Sequence, residues 1–151
     1  MLHIQRAQLE DIGKLAPLFD AYRIFYQQES DIKAAKTFLK ERLKNGQSII
    51  LMALWKEKVV GFTQLYITSS SVSMQPFFIL NDLYVLTEFR GKGIGEKLLE
   101  TAKELCRERG FKGLALETAK DNPAQRLYEK LDWKSDTEYL HYFWTESSQN
   151  S

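Results

Sequence analysis

The stretch FFILNDLYVLTEFRGKGIGEKLLETAKELCRERGFKGLALET, residues Phe77 to Thr118, decides the fold. Its opening, Phe77 to Val85, is apolar and rich in β-formers, and it reads as a strand interrupted by the polar pair Asn81 and Asp82, where simple alternation fails. From Gly93 to Arg109, Ile94, Leu98, Leu99, Ala102, Leu105 and Cys106 recur on one face of a helix that Gly110 ends. Lys112 to Thr118 returns as a strand. Strand, helix, strand is a crossover unit, so the two strands are expected to lie parallel.

Between the first strand and the helix stands Arg90-Gly91-Lys92-Gly93-Ile94-Gly95. Alternate glycines let the backbone turn sharply and aim successive N–H groups at one point, and a helix N-terminus favours an anion there. That combination describes a pyrophosphate cradle. The spacing is neither that of a Walker A loop, which needs Gly-Lys-Ser/Thr at its end, nor the G-x-G-x-x-G of a dinucleotide fold. A glycine-rich helix entry without a ligand is the plain alternative, and Arg90 and Lys92 tilt the balance toward phosphate.

Working outward, Leu2 to Arg6 reads as a short strand, and Asp11 as the cap of a helix carrying Ile12, Leu15, Leu18 and Phe19, which Pro17 should kink or break. Aromatics crowd Tyr22, Phe25 and Tyr26 before Ser30 or Asp31 caps a second helix with Ile32, Ala35, Phe38, Leu39 and Leu43 on one stripe. Asn45 and Gly46 stop it. Ser48 to Trp55 and Val59 to Thr68 are expected to form an antiparallel hairpin around Lys56-Glu57-Lys58, followed by a serine loop, Ser69 to Ser71. Toward the other end, Asp121 or Asn122 caps a helix whose first turn holds Pro123 and which runs to about Leu131. The aromatic-rich Asp136 to Trp144 is expected to close the sheet. The whole is an α/β chain, a mixed sheet with helices on both faces, read as one domain over residues 1–146 with a frayed tail over 147–151.

Composition narrows the function classes. The 151 residues carry 21 Lys+Arg against 20 Asp+Glu, a formal net charge of +1, so no long-range field gathers nucleic acid or anionic membrane. One cysteine, Cys106, excludes an intrachain disulfide framework and a cysteine-cluster metal site. It reads as inert helix core. Neither a signal peptide nor a membrane-spanning apolar run is present, and a cytoplasmic location is expected.

Two motifs in order, R-x-x-G-x-G after a strand ending Asp82-Leu83-Tyr84-Val85, and then Asn122, Ala124, Leu127 and Tyr128, resemble the two signatures of the GNAT superfamily of acetyl-CoA-dependent N-acetyltransferases. The opening Ile4 to Asp11 resembles the family's first strand and helix, so the likeness covers nearly the whole chain. It implies a mostly antiparallel sheet with a central parallel pair that splays, the pantetheine arm of acetyl-CoA entering the gap like an added strand. The cofactor would then meet Leu83, Tyr84 and Val85 by backbone, Gly91 to Gly95 at the pyrophosphate, and Asn122 and Ala124 along the arm. The resemblance also makes Tyr128 the acid that protonates the departing thiolate, and implies a homodimer paired through the aromatic C-terminal strands.

The chemistry needs one base and one acid, because an ammonium must lose a proton before attack and the thiolate must gain one. No metal is required. Asp82, which breaks an apolar strand close to the expected thioester, is the candidate for binding or deprotonating the amine, with Asn81 assisting; a side chain bonded to the neighbouring loop is the competing reading. Polyamine-acetylating relatives carry a carboxylate at the position of Asn81, a departure that weakens that assignment. For Tyr128 the competing reading is a packed core tyrosine. Tyr22, Phe25, Tyr26, Glu29 and Tyr139 are candidates for the acceptor pocket, set against aromatic core and a solvated glutamate. His3 and His141 read as structural. The acceptor is a small-molecule amine, a polyamine or an amino acid derivative; a protein terminus, a non-catalytic acyl-CoA sensor and a purely structural oligomerisation module are the rivals.

Overall fold

Ser48–Trp55 is buried at every position but the last, a pattern a strand shows when both of its faces are covered. In the computed structural model, which describes residues 1–118, 122, 124–136, 140 and 142–146, this strand is β2. It lies second in a five-stranded sheet ordered β1 (Leu2–Arg6), β2, β3 (Lys58–Ser70), β4 (Gln75–Val85), β5 (Leu114–Ala115). Neighbours pair antiparallel except β4 and β5, which are parallel as the crossover demands. The described residues form two compact units, Met1–Glu117, which holds the sheet, and a unit that starts at Thr118.

Helices α1 (Ile12–Phe25) and α2 (Ile32–Lys44) cover one face. Leu15, Ala16, Leu18 and Phe19 of α1 and Ala35 and Leu39 of α2 form one cluster with Ile50, Met52, Leu54, Phe62 and Tyr84. Helix α3 (Ile94–Glu108) covers the other with Ile94, Leu98, Leu99, Ala102 and Cys106. The approach is close: a Cβ placed on Gly61 would lie 3.1 Å from the Tyr84 carbonyl and 3.4 Å from Ile94 Cγ2. A side chain there would push β3 away from its neighbours, which is the reason for glycine.

Register carries more information than strand length. In the β3–β4 ladder Gln64 pairs with Asp82 and Leu65 with Leu80, so Asn81 is an extra residue on β4. Paired residues share a face of the sheet, and faces alternate along a strand. Leu80 therefore follows Leu65 to the α3 face, whereas Asp82 follows Gln64, and Tyr84 follows Phe62, to the α1 and α2 face. A β-bulge at Asn81 turns the strand over. The failed alternation in the sequence is this bulge.

Several expectations are corrected. Helix α1 runs unbroken through Pro17. A proline inside a helix costs about 3 kcal/mol. Here the forfeited bond is to Gly13, which has no side chain, and Leu15, Leu18 and Phe19 beside it are buried, each contributing about 1.5–3 kcal/mol. Packing wins. The Asp11 carboxylate does not cap α1; it accepts the Gln8 N–H at 2.7 Å and closes the 3-10 turn Leu9–Asp11 instead. Of the two candidate caps for α2, Asp31 accepts the Ala34 N–H at 3.0 Å. Ser69 and Ser70 belong to β3 rather than to a loop. The strand expected over Lys112 to Thr118 is reduced to Leu114–Ala115, paired with Phe78 and Ile79. Beyond Ile79 the ladder stops, so the β5 side of β4 from Leu80 to Val85 is open among the described residues of this unit, as splaying requires. The described residues of the stretch expected to close the sheet, Asp136, Leu140 and 142–144, form no strand. Tyr139, His141 and residues 147–151 lie outside the described residues.

In the second unit, α4 spans Ala124–Lys130. Asn122 Oδ1 accepts the Ala124 N–H at 2.9 Å and so caps it. The other proposed cap, Asp121, and Pro123 lie outside the described residues.

Candidate active site

Asp82 is 8% exposed and accepts three hydrogen bonds. The Tyr22 hydroxyl donates to Oδ1 at 2.8 Å, while Gln64 Nε2 at 2.7 Å and Asn81 Nδ2 at 3.2 Å donate to Oδ2. Gln64 is oriented in turn by Ser48, whose hydroxyl donates to Oε1 at 2.7 Å. Thr63 donates to the Asp82 carbonyl at 2.7 Å. Ser48, Thr63, Gln64 and Asp82, the buried members of this network, each have a partner, which is the condition for keeping such a network inside a sheet. Burial pushes the Tyr66 phenol up, and the charge of Asp82 adds to the effect.

Beside the carboxylate stands an aromatic wall. The Tyr22 ring lies 5.1 Å from Tyr26, 5.4 Å from Phe62 and 5.6 Å from Tyr84. Phe25 lies 5.3 Å from Tyr26 and 5.9 Å from Tyr84. Phe25 and Tyr26 are 53% and 51% exposed, so the wall has a buried end at Phe62 and a solvent end. The Arg90 side chain folds back onto it: Cζ lies 5.3 Å from the Phe25 ring and 5.4 Å from Tyr84, and Nε donates to the Val85 carbonyl at 2.8 Å. Glu29 is exposed, and its carbonyl, not its carboxylate, accepts from Arg23.

The glycine segment behaves as its spacing predicts. Gly91 and Gly93 adopt φ of 78° and 80°, and Gly93 is the N-cap of α3. A Cβ at either would meet nothing within 4 Å. Only backbone strain would oppose a side chain there; the space itself is open, as a cradle for an anion must be. Ile94 is buried beneath the turn and anchors it, and the first N–H groups of α3 lack intrahelical partners by geometry.

In the second unit, the Tyr128 ring lies 5.8 Å from that of Trp133, tilted by 51°, and its carbonyl accepts the Trp133 backbone N–H at 2.9 Å. Thus the first unit brings together Asp82, Asn81, Tyr22, Tyr84, Phe25, Tyr26 and Arg90, and within the other Asn122 and Ala124 share the cap that starts the helix of Tyr128. Glu29 is not drawn into the carboxylate network. Gln64, Ser48 and Thr63 escaped the sequence reading. The available signal was the polar pair Thr63-Gln64 inside the apolar run from Val59 to Ile67.

Residues 15–133 match the Acetyltransferase (GNAT) family. The chain is 46% identical over 142 residues to the uncharacterized N-acetyltransferase YhfO of Bacillus subtilis (strain 168), covering 93% of this chain and 95% of that protein. The crystal structure of a probable acetyltransferase superposes with a TM-score of 0.90 at 38% identity, covering 96% of this chain and 98% of that one. An aminoglycoside acetyltransferase from an uncultured soil metagenomic sample, in complex with trehalose, shares the fold at a TM-score of 0.84 and 23% identity, with 97% of each chain covered. The chain belongs to the GNAT acetyltransferase family.

Proposed function

We propose that this acetyltransferase moves an acetyl group from acetyl-CoA to a primary amine on a small molecule, by direct attack in a ternary complex. The observation that carries the reading is the buried, triply hydrogen-bonded Asp82 on the strand that leads into the open left-handed turn at Gly91 and Gly93. Acetyl-CoA supplies an activated thioester. Gly91, Lys92, Gly93, Ile94 and Gly95 would hold its pyrophosphate through backbone N–H groups, and the open space at the Gly91 and Gly93 Cα positions fits that approach. The open β4 edge at Leu83, Tyr84 and Val85 would bind the pantetheine and polarise the acetyl carbonyl. Asn122 and Ala124 are assigned to the cofactor arm on the family resemblance, and Tyr128 to protonating the thiolate.

Asp82 receives the amine's proton. A carboxylate offers about four lone-pair sites, and three are taken, so its role is fixed by orientation more than by accessibility. The aromatic wall of Tyr22, Phe25, Tyr26 and Tyr84 suits a cationic amine, because ring faces attract an ammonium before it is deprotonated. That feature favours a small cationic acceptor such as a polyamine or an amino acid derivative. The exposed Leu140, Tyr142, Phe143 and Trp144, each 78–85% accessible, support the further reading that two copies associate through this stretch; sedimentation would then report a dimer.

The test is thermal stabilisation by acetyl-CoA, with thiol release followed in the same sample across polyamines, amino acids and aminoglycosides. Stabilisation with thiol release on one amine class is the expected result. Absence of any shift would remove the cradle and the function built on it.

A further inference from the structure

Asp82 has two unlike oxygens. Oδ2 faces the side-chain amide nitrogens of Gln64 and Asn81. Such a nitrogen donates and cannot accept. Gln64 cannot turn its oxygen inward without giving up the Ser48 hydroxyl on Oε1. A proton arriving at Oδ2 would therefore meet two donors and no acceptor. Oδ1 faces the Tyr22 hydroxyl, which can both donate and accept. In this arrangement the only group beside the carboxylate oxygens that can accept as well as donate is the Tyr22 hydroxyl on Oδ1.

We propose that Tyr22 is a catalytic residue that relays the amine's proton to Asp82, an inference that rests on Asp82 acting as the base. The ammonium passes one proton to Tyr22 Oη while Tyr22 passes its own hydroxyl proton to Asp82 Oδ1. The amine is left neutral with its lone pair available, the phenol is unchanged, and Asp82 becomes a carboxylic acid. The reverse path returns the proton to solvent after product leaves. Tyr22 is placed for this: its hydroxyl is on the buried carboxylate while its ring packs against Tyr26, which is half exposed. Its contacts with Phe19, Phe62 and Tyr84 fix the ring so that Oη stays on Oδ1. Among the described residues the titratable and charged groups around the pair include Tyr26 on α1, Tyr84 on β4 with Arg90 over its ring, Tyr66 on β3, which senses the charge of Asp82, and Arg42 of α2, which bonds Tyr66.

The experiment is a proton inventory: kcat/KM measured against the D2O fraction on whichever amine of the panel gives fastest thiol release. Two protons in flight give a bowed plot, one a straight line. Wild type is expected to bow. Tyr22→Phe keeps the ring contacts but takes a donor from the buried Oδ1, so it should still fold while melting below wild type, lose at least tenfold in kcat/KM and give a straight line. Combined with Asp82→Asn it should cost little more than Asp82→Asn alone, because both changes cut one path. A straight line for wild type, or an undiminished and still bowed Tyr22→Phe, overturns the relay. If Asp82→Asn alone runs at the wild-type rate, the base assignment falls and takes the relay with it, whereas an impaired Asp82→Asn beside a normal Tyr22→Phe leaves the base standing without Tyr22. No thiol release on any amine overturns the proposed function itself.

Discussion

The surroundings of Asp82 and the turn from Gly91 to Gly95 are built in opposite ways, although one strand end links them. Around Asp82 the chemistry is held by side chains brought from β2, β3 and α1, buried and mutually satisfied, so that changing one orphans the others. At the turn the chemistry is backbone, exposed to an open volume, and no neighbouring side chain is needed to shape it. A site made of side chains is specific about its atoms and fragile to substitution. A site made of backbone tolerates any side chain that the conformation tolerates, and is fragile at the glycines alone.

The contrast can be broken by substitution. Asp82→Asn has the largest expected effect, a loss of about a hundredfold or more in kcat/KM, because the amide can neither take the proton nor accept from all three donors; initial rates of thiol release check it. Gly93→Val comes next. No atom lies within 4 Å of where the valine Cβ would sit, so the expected penalty is left-handed strain, about 1–2 kcal/mol, and a turn whose N–H groups no longer converge. The stabilisation by acetyl-CoA should vanish while the protein still folds; a retained shift would show that the turn does not hold the cofactor.

Asp20 sharpens the comparison, being a second buried carboxylate with a purely local task. The Ser30 hydroxyl at 2.6 Å and the Asp31 N–H at 2.7 Å hold its pKa below the usual value of 3.8, in that order of importance, against the opposing effect of burial. A depressed carboxylate contributes stability above its unfolded pKa and loses it as pH falls through the folded one. Asp20→Asn should therefore melt earlier at neutral pH, with a cost on the order of 1–3 kcal/mol. The gap to wild type should close as pH drops below about 4, and turnover per folded molecule should be unchanged. Tyr128→Phe, in the other unit, should lower kcat about tenfold with cofactor affinity intact; unchanged turnover removes it from the acid role. The smallest effect is expected at the β2–β3 turn, where Lys56 and Glu57 take φ of 50° and 71° without a glycine. Glu57→Gly should stabilise by about 0.5–1 kcal/mol, read as a rise in Tm.

The same division explains what could be read in advance. Glycine is nearly the only residue that enters the left-handed region freely, so the turn announces itself in one-letter code. Asp82 was visible as an interruption, but its partners Gln64 and Ser48 were not, because they meet through register across three strands, and the register hangs on the bulge at Asn81. Helix ends show the point again. Gly46 and Gly110, at φ of 64° and 65°, ended α2 and α3 as expected. Gln27 and Asp132 do the same for α1 and α4 at 68° and 69°, with the same pair of closing hydrogen bonds, and no residue type gave them away. Local propensity also could not tell whether α1 would break at Pro17, which it does not, since burial around a proline is a tertiary quantity. The short β5 was overestimated for a related reason: β-formers record a preference to extend, not the presence of a neighbour to pair with.

The bulge at Asn81 gives strand β4 something like a reading frame. Surface loops absorb a gained or lost residue with little consequence, but pairing Asn81 into the ladder in place of the bulge would exchange inside for outside from Asp82 onward. The carboxylate would turn to the helix that carries the glycine turn, and Val85 to the aromatic wall. Loops around this strand can therefore vary in length, whereas its faces stay as they are only while Asn81 is kept out of the ladder, whatever its amide contributes.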